Sequence, residues 1–219
     1  MADDRTGRQR MVAGAADMIS RRGLNATSVR DLAKHTQAPL GSTYHYFPGG
    51  KYDLATEAVR WADNLTMSVL AKELASGPQA GLSAFLSLWR HIVLDSDFHA
   101  GCPVLAVSVE DLPDKHHAPR DAAAEAFGRW ISLLAESLRD AGASPSDADQ
   151  VATLIVAAVE GTVAICRAQR SITPLDHVTA QLAQMIEAVL PTPPTRTGAA
   201  RSRVSRKLPD DDGHAAQRR

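Results

Sequence analysis

The side chains able to do chemistry fall into two groups. The first is His91, His99, Cys102, His116 and His117. A zinc site needs Cys or His pairs closely spaced on a knuckle or on one helix face, and these residues lack that spacing. No metal and no cofactor is expected. Cys102, beside Gly101, has the type of a nucleophile, yet no base stands at a fixed spacing from it and no glycine-rich phosphate loop is present. A tight turn leading into a packed helix accounts for it, and no catalytic residue is assigned. The second group is the stretch TQAPLGSTYHYFPGGK, Thr36 to Lys51, in which Tyr44, His45, Tyr46 and Phe47 follow small and hydroxyl residues and precede Pro-Gly-Gly-Lys. So dense a run of rings is either buried or in contact with something. Hydroxyls and phenols donate to phosphate oxygens, and small residues let a helix sit deep in a major groove.

The elements that must position this stretch read as helices. Alternating apolar runs are nearly absent, Ala, Leu, Arg, Glu and Gln abound, and Gly or Pro marks off segments of helical length. A first helix is expected over Arg5 to Arg22, with Val12, Ala15 and Ile19 on one face, stopped by Gly23. Thr27 or Ser28 caps a short second helix, with Val29, Leu32 and Ala33 inward. Pro39 opens a third, which runs to Phe47 before Pro-Gly-Gly breaks it. Two short helices joined by a tight turn and braced by a longer one make a helix-turn-helix. On the third helix Phe47 is the core residue that locks it to its neighbours, leaving Gly41, Ser42, Thr43, Tyr44 and His45 outward.

Beyond Lys51 further helices are expected from Lys51 to about Ala75, Gln79 to Asp95, Arg120 to Ala141, Gln150 to Gln169 and Pro174 to Leu190, with a loop, a short helix and another loop between His99 and Pro119. The fold class is therefore all-α: an N-terminal helix-turn-helix over 1–52, a helical domain over 53–190, and a tail over 191–219. The tail is rich in Pro, Arg, Ser and Asp, has little to bury, and is expected to be disordered and basic.

Length and composition agree. The chain has 219 residues, enough for one large domain or two modest ones, and 44% of them are apolar. No apolar run approaches the roughly 18 positions of a membrane span, and the N-terminus lacks the pattern of a secretory signal, so a cytoplasmic protein with no membrane partner is expected. Cys102 and Cys166 are too few for a disulfide framework and are expected as free thiols. Net charge is −1 overall, but residues 1–51 hold eight Lys or Arg against four Asp. That local excess is what a polyanionic partner requires.

The segment SVRDLAKHTQAPLGSTYHYFPGGKYDL resembles the DNA-binding segment of the tetracycline-repressor (TetR) family in its order of helix, turn, glycine, hydroxyl, Tyr-x-Tyr-Phe and lysine. The likeness covers residues 5–55. APLGSTYHYFPGGK, together with the later GCPVLAVSVE, further resembles the lincomycin-resistance-repressor branch. The resemblance implies a homodimeric, ligand-responsive repressor bound to double-stranded DNA at a pseudo-palindromic operator. By position it implies a DNA-facing set of Thr27, Ser28, Gly41, Ser42, Thr43, Tyr44, His45 and Lys51. Within that set Tyr44 and Lys51 would hold phosphates, and Ser42, Thr43 and His45 would lie near base edges. Two positions depart from the family pattern. Gln37 replaces a turn glycine and resists a positive φ unless the turn is altered, and Leu40 stands where a basic residue is common, so a contact there is lost or becomes one with a thymine methyl.

The larger half carries two further features. Val151, Leu154, Ile155, Ala158, Val159, Thr162 and Ile165 form one apolar stripe, and Leu175, Val178, Leu182, Met185, Ile186 and Val189 another. They could close an ordinary core, but wide stripes on the last two helices fit pairing with a twofold mate. Trp61, Leu65, Phe85, Trp89, His91, Ile92, Cys102, Val104, Phe127, Trp130, Ile131 and Glu160 could line a cavity for a small, largely apolar effector, although rings at helical spacing also suit a plain core. The rival from another class is a helical enzyme or accessory protein whose first three helices dock a protein partner.

Overall fold

Apolar residues spaced three and four apart, punctuated by Gly and Pro, give nine α-helices and no strand among the residues that the computed structural model describes, 2–191. In chain order they are α1 (Ala2–Arg22), α2 (Val29–His35), α3 (Leu40–Tyr46), α4 (Lys51–Leu74), α5 (Pro78–Asp95), α6 (Pro103–Ser108), α7 (Ala118–Asp140), α8 (Pro145–Gln169) and α9 (Thr173–Val189). A short 3-10 turn, Asp114–His116, precedes α7. The tail expected to be disordered falls, beyond Pro191, outside the described residues.

The first three helices pack around one another and against the start of α4. Met11, Val12, Ala15, Ala16, Met18 and Ile19 of α1 are buried with Leu32 of α2 and with Leu54, Ala55 and Ala58 of α4. Of the two hydroxyls that could cap α2, Ser28 does so. Its Oγ accepts from the Asp31 N–H at 3.1 Å and donates to Asp31 Oδ2 at 2.6 Å. Thr27 is buried instead, and its hydroxyl donates to the Gly23 carbonyl at 2.7 Å.

The α2–α3 turn contradicts the expectation for Gln37. It takes φ = 53° although it carries a side chain. The turn is held from both sides: Gln37 N–H donates to Lys34 O, Ala38 N–H to Ala33 O at 2.9 Å, and Thr36 Oγ1 to Leu32 O at 2.9 Å. Gly14 lets α1 lie against this turn, because a methyl there would run into the stiff Thr36 side chain.

The remaining helices form the larger half. α4 passes from one half to the other and packs against α1, α5 and α7. α7 packs on α8, and α8 and α9 form a hairpin turned by Arg170 in the left-handed region. α8 begins at Pro145 rather than at Gln150, because Ser144 is a true N-cap (its Oγ accepts from Asp147 N–H at 3.1 Å) and Pro145 suits the first helical position. By length and composition α8 is the one helix among the described residues that could cross a membrane, yet half of its most apolar window is buried against the rest of the chain. Its remaining apolar residues, Leu154 and Ile165 among them, lie on the outer face.

A left-handed conformation at a residue with a Cβ costs about 1 kcal/mol. Gln37→Gly is therefore expected to raise the melting temperature by about 2–4 °C, read by circular dichroism. An unchanged or lower value would mean that the turn holds Gln37 without strain.

Candidate nucleic-acid interface and regulatory core

α3 has seven residues, too few to be stable alone, so its orientation is set by what it buries. Two side chains four apart do this. Thr43 is fully buried, its Oγ1 3.8 Å from Met11 Sδ, and Phe47 is 1% exposed beneath the Arg8 guanidinium, which lies 5.2 Å from the ring centroid. Arg8 is itself fixed by Glu57 of α4 at 2.7 Å. Tyr46 packs edge-on to Phe47, partly buried. What remains outward is Gly41, Tyr44 (53% exposed) and His45, with Leu40 (40% exposed) at the first turn. Ser42 is half-buried, and Ser28 is exposed at the start of α2 beside the exposed Arg30 and Lys34. Lys51 Nζ sits over the Tyr52 ring at 5.2 Å, half-buried at the start of α4.

Two of the expected DNA-facing residues are thus turned inward: Thr27 and Thr43. The sequence alone favours the outward reading because threonine is a polar type. The helix geometry decides otherwise, since Thr43 and Phe47 are four apart and share the packed face. Leu40, by contrast, belongs to the outward face.

The regulatory core divides the second set as well. Phe85, Trp89, Cys102, Val104, Trp130 and Glu160 are buried, and Ile92, Phe127 and Ile131 partly so. Trp61 and Leu65, each 41% exposed, and the exposed His91 lie on outer faces and do not converge with the others. They fall on the outer sides of α4 and α5, where periodicity could not separate inner from outer aromatic positions. The rings inside pack edge to face, Phe85 with Trp89 and with Trp130, and Phe127 with Trp130, at centroid distances of 5.5–6.3 Å. Trp130 Nε1 donates to the buried Asp63 at 2.9 Å, and Arg129 completes that carboxylate at 3.1 Å. Burial still holds the Asp63 carboxyl above its ordinary range, against the opposing pull of Trp130 and Arg129.

Glu160 is different. It is 4% exposed, and among the described residues neither of its carboxyl oxygens has a hydrogen-bond partner; nor does Trp89 Nε1. Burial pushes the Glu160 carboxyl up to about 8, against the opposing pull of the nearby Cys102 thiol. Burial, with Glu160 adding to it, also raises Cys102 well above the usual thiol range, which makes it a poor nucleophile.

The two halves are bonded together by residues that local pattern could not single out. Just past α6, Glu110 accepts from the Leu24 and Asn25 N–H groups of the α1–α2 loop, the latter at 2.7 Å. Gly23 precedes this clamp at φ = 80°, and any side chain there would meet Glu110. Arg167 of α8 donates to Arg21 O at 3.0 Å and to His99 O at 2.9 Å, and Gly101 N–H donates to Ser20 O at 3.2 Å. Each partner lies tens of positions away in the chain. Of the histidines weighed for a metal, His116 stacks on Tyr52 and His117 pairs with Asp121.

Comparison with known proteins agrees with this architecture. Residues 12–58 match the model of the N-terminal domain of bacterial regulatory proteins of the TetR family, and residues 78–181 match the LmrA/YxaF-like transcriptional regulator C-terminal domain. An HTH-type transcriptional regulator of Mycobacterium tuberculosis is 41% identical over 84% of this chain and 96% of its own. The chain belongs to the TetR family. The HTH-type transcriptional regulator LmrA of Bacillus subtilis is 29% identical over 82% of this chain and 96% of its own. A TetR regulatory protein of Rhodobacter sphaeroides superposes with a TM-score of 0.72 over 81% of this chain and 97% of its own; at 22% identity it shows the fold alone. This TetR-family chain is accordingly a helix-turn-helix transcriptional regulator and not an enzyme.

The buried carboxyl gives the TetR-family chain a pH dependence of definite sign. Between about 4.5, its ordinary value, and about 8, Glu160 keeps a proton in the folded chain that the unfolded chain releases. Its contribution to stability is therefore complete below that window, falls as pH rises through it, and levels off above. Between pH of about 5.5 and about 7.5, the melting temperature of the wild type is expected to fall more than that of Glu160→Gln. Parallel curves would show that Glu160 is ionised when folded.

Proposed function

We propose that the chain is a cytoplasmic repressor that binds a pseudo-palindromic operator as a homodimer and is released by a small, largely apolar effector. The observation that carries the DNA-reading half is the outward face of α3, which presents Leu40, Gly41, Tyr44 and His45 because Thr43 and Phe47 are locked inward. On this reading residues 1–52 form the reading head and residues 53–190 the effector and pairing domain. Tyr44 and Lys51 hold phosphates; Ser42 and His45 approach base edges, with Ser28 at the start of α2 beside them. Leu40 offers a surface for a thymine methyl. Two such helices, about 34–36 Å apart or a multiple of that, would enter successive major grooves.

Pairing through α8 and α9 is supported by the outer face of α8. Leu154, Ala158, Gly161 and Ile165 recur at helical spacing there, with Leu154 45% and Ile165 47% exposed. The other members of the two stripes, such as Val151, Ile155, Leu182 and Ile186, are already used inside the subunit. Small residues between two large ones allow close approach of a symmetry mate.

Release follows from the bonds between the halves. α6 is capped by Cys102, beside Glu160, and Glu110 just past its other end grips the α1–α2 loop. An effector that displaces α6 or α8 would carry the end of α1 with it. A coupling of about 1–3 kcal/mol suffices for a 5- to 150-fold loss of operator affinity.

The test of the reading face is a gel shift with the DNA flanking the chain's own coding region, across salt concentration. Tyr44→Phe should weaken binding severalfold regardless of sequence, and Lys51→Gln should lower the salt slope by about 0.9. Unchanged affinity in both would exclude this face. The pairing is checked separately: Ile165→Glu should convert the dimer to a monomer in sedimentation velocity, and a dimer that persists would place the interface elsewhere.

A further inference from the structure

The proposed function leaves the chemical nature of the effector open, and the core narrows it. Glu160 is buried with both carboxyl oxygens unpartnered among the described residues. Unpartnered buried polar groups are costly and rare in native cores, so each calls for an explanation. Asp63, the other buried carboxylate of this half, shows the usual solution, because Trp130 and Arg129 satisfy it. Glu160 has no comparable partner: the Cys102 thiol beside it is a weak donor, close enough to favour the ionised carboxyl yet not placed to complete a hydrogen bond, and its Sγ already accepts from Leu105 N–H at the start of α6.

The core of this half otherwise holds apolar and aromatic side chains, and the helix packing sets which of them share the level of Glu160. α5 and α8 run parallel: α9 returns antiparallel to α8 through the Arg170 turn, and α5 is antiparallel to α9 because Arg90 meets Asp176 while Gln79 meets Ala183. Cys166 senses the charges of Arg90 and Asp176, so it stands near their level. Glu160, about 9 Å lower along α8, then stands at the level of Phe85. Trp89, one turn further along α5, packs edge-on against Phe85, and its Nε1 is likewise buried without a partner among the described residues.

We propose that Glu160 is the anchor of the effector site and that the effector is an amphiphilic amine: a protonated nitrogen seated on the Glu160 carboxylate, with an apolar or aromatic body among Phe85, Trp89 and Trp130. An ammonium group carries only donors. As it enters, its charge drives the Glu160 carboxyl, which burial alone keeps protonated, to release its proton to solvent. This leaves an acceptor-only carboxylate and an ion pair in which each charge compensates the other. Aromatic faces add a favourable environment for the cation. Trp89 Nε1 would meet an acceptor on the same molecule. This identification rests on the reading of residues 53–190 as the effector domain.

The test is thermal melting of the full chain, as wild type, Glu160→Gln and Glu160→Leu, with 4-phenylbutylamine, 2-naphthylmethylamine or N,N-dimethyldodecylamine. Each amine is set against its neutral alcohol, and wild-type operator binding is followed in parallel by gel shift. At least one amine should raise the wild-type melting temperature by about 3 °C or more and release the protein from DNA. Its alcohol should do neither, and both substitutions should abolish the shift. Both variants report their own folding through their melting transitions, and replacing an unpartnered carboxyl with Leu is expected to leave a cooperative one. The proposal is overturned if no amine shifts the wild type, if amine and alcohol act equally, or if the shift survives in Glu160→Leu. Protein that binds the DNA but ignores every amine refutes the anchor alone; protein that ignores the DNA as well refutes the reading beneath it.

Discussion

The reading head depends on one packing contact. A helix of seven residues has too few internal hydrogen bonds to hold its own shape, and α3 exists because Thr43 and Phe47 are inserted between α1 and α4. That insertion fixes rotation as well as position. With the two side chains on one face, Gly41, Tyr44 and His45 are left outward, so the identity of the exposed residues is a consequence of what the core accepts. Arg8 strengthens the constraint, since its guanidinium covers the Phe47 ring while its far end is tied to Glu57 of α4. Of the basic residues of the first half, Arg8 is thus part of the lock.

The same logic extends across the chain. α1 is the brace of the reading head, and its C-terminal end is bonded to the other half by Glu110, Arg167 and Gly101. These bonds use backbone N–H and C=O groups at a helix end, which would otherwise need water or a cap. The larger half therefore holds the end of α1 by its backbone and not only by side-chain packing.

Much of this was legible in the sequence. Helical spacing, the Ser-Val-Arg-Asp cap, Pro39 and the Pro-Gly-Gly break gave the helix-turn-helix, and Phe47 was readable as its lock because a large ring at the end of a short helix has few other uses. Residue by residue the limits are physical. Thr43 reads as polar, yet its methyl and hydroxyl fit a buried slot against Met11. Gln37 reads as incompatible with a left-handed turn, yet three hydrogen bonds around it outweigh a cost of about 1 kcal/mol. Trp61 and Leu65 read as core by type, but only the packing of α4 against α5 and α7 decides which of its sides is covered. Glu110 and Arg167 carried no local signal at all, because their partners are distant in the chain.

Helix α8 shows why the buried carboxyl is more than a packing defect. Leu154, Ala158, Gly161 and Ile165 lie along one stripe of this helix, and Glu160 and Arg167, seven apart, lie along another. At about 100° per residue, the second stripe lies about 140° around the helix from the first. The outer stripe is where a symmetry mate would bear; the inner one holds the unpartnered Glu160 at one end and the bond to the α1 backbone at the other. A rigid rod pinned along its outer stripe can respond to occupancy at Glu160 chiefly by rotating or tilting about that line. In the proposed dimer such a motion would displace Arg167, and with it the end of α1, in opposite senses in the two subunits, and so change the separation of the two reading helices without unfolding either of them.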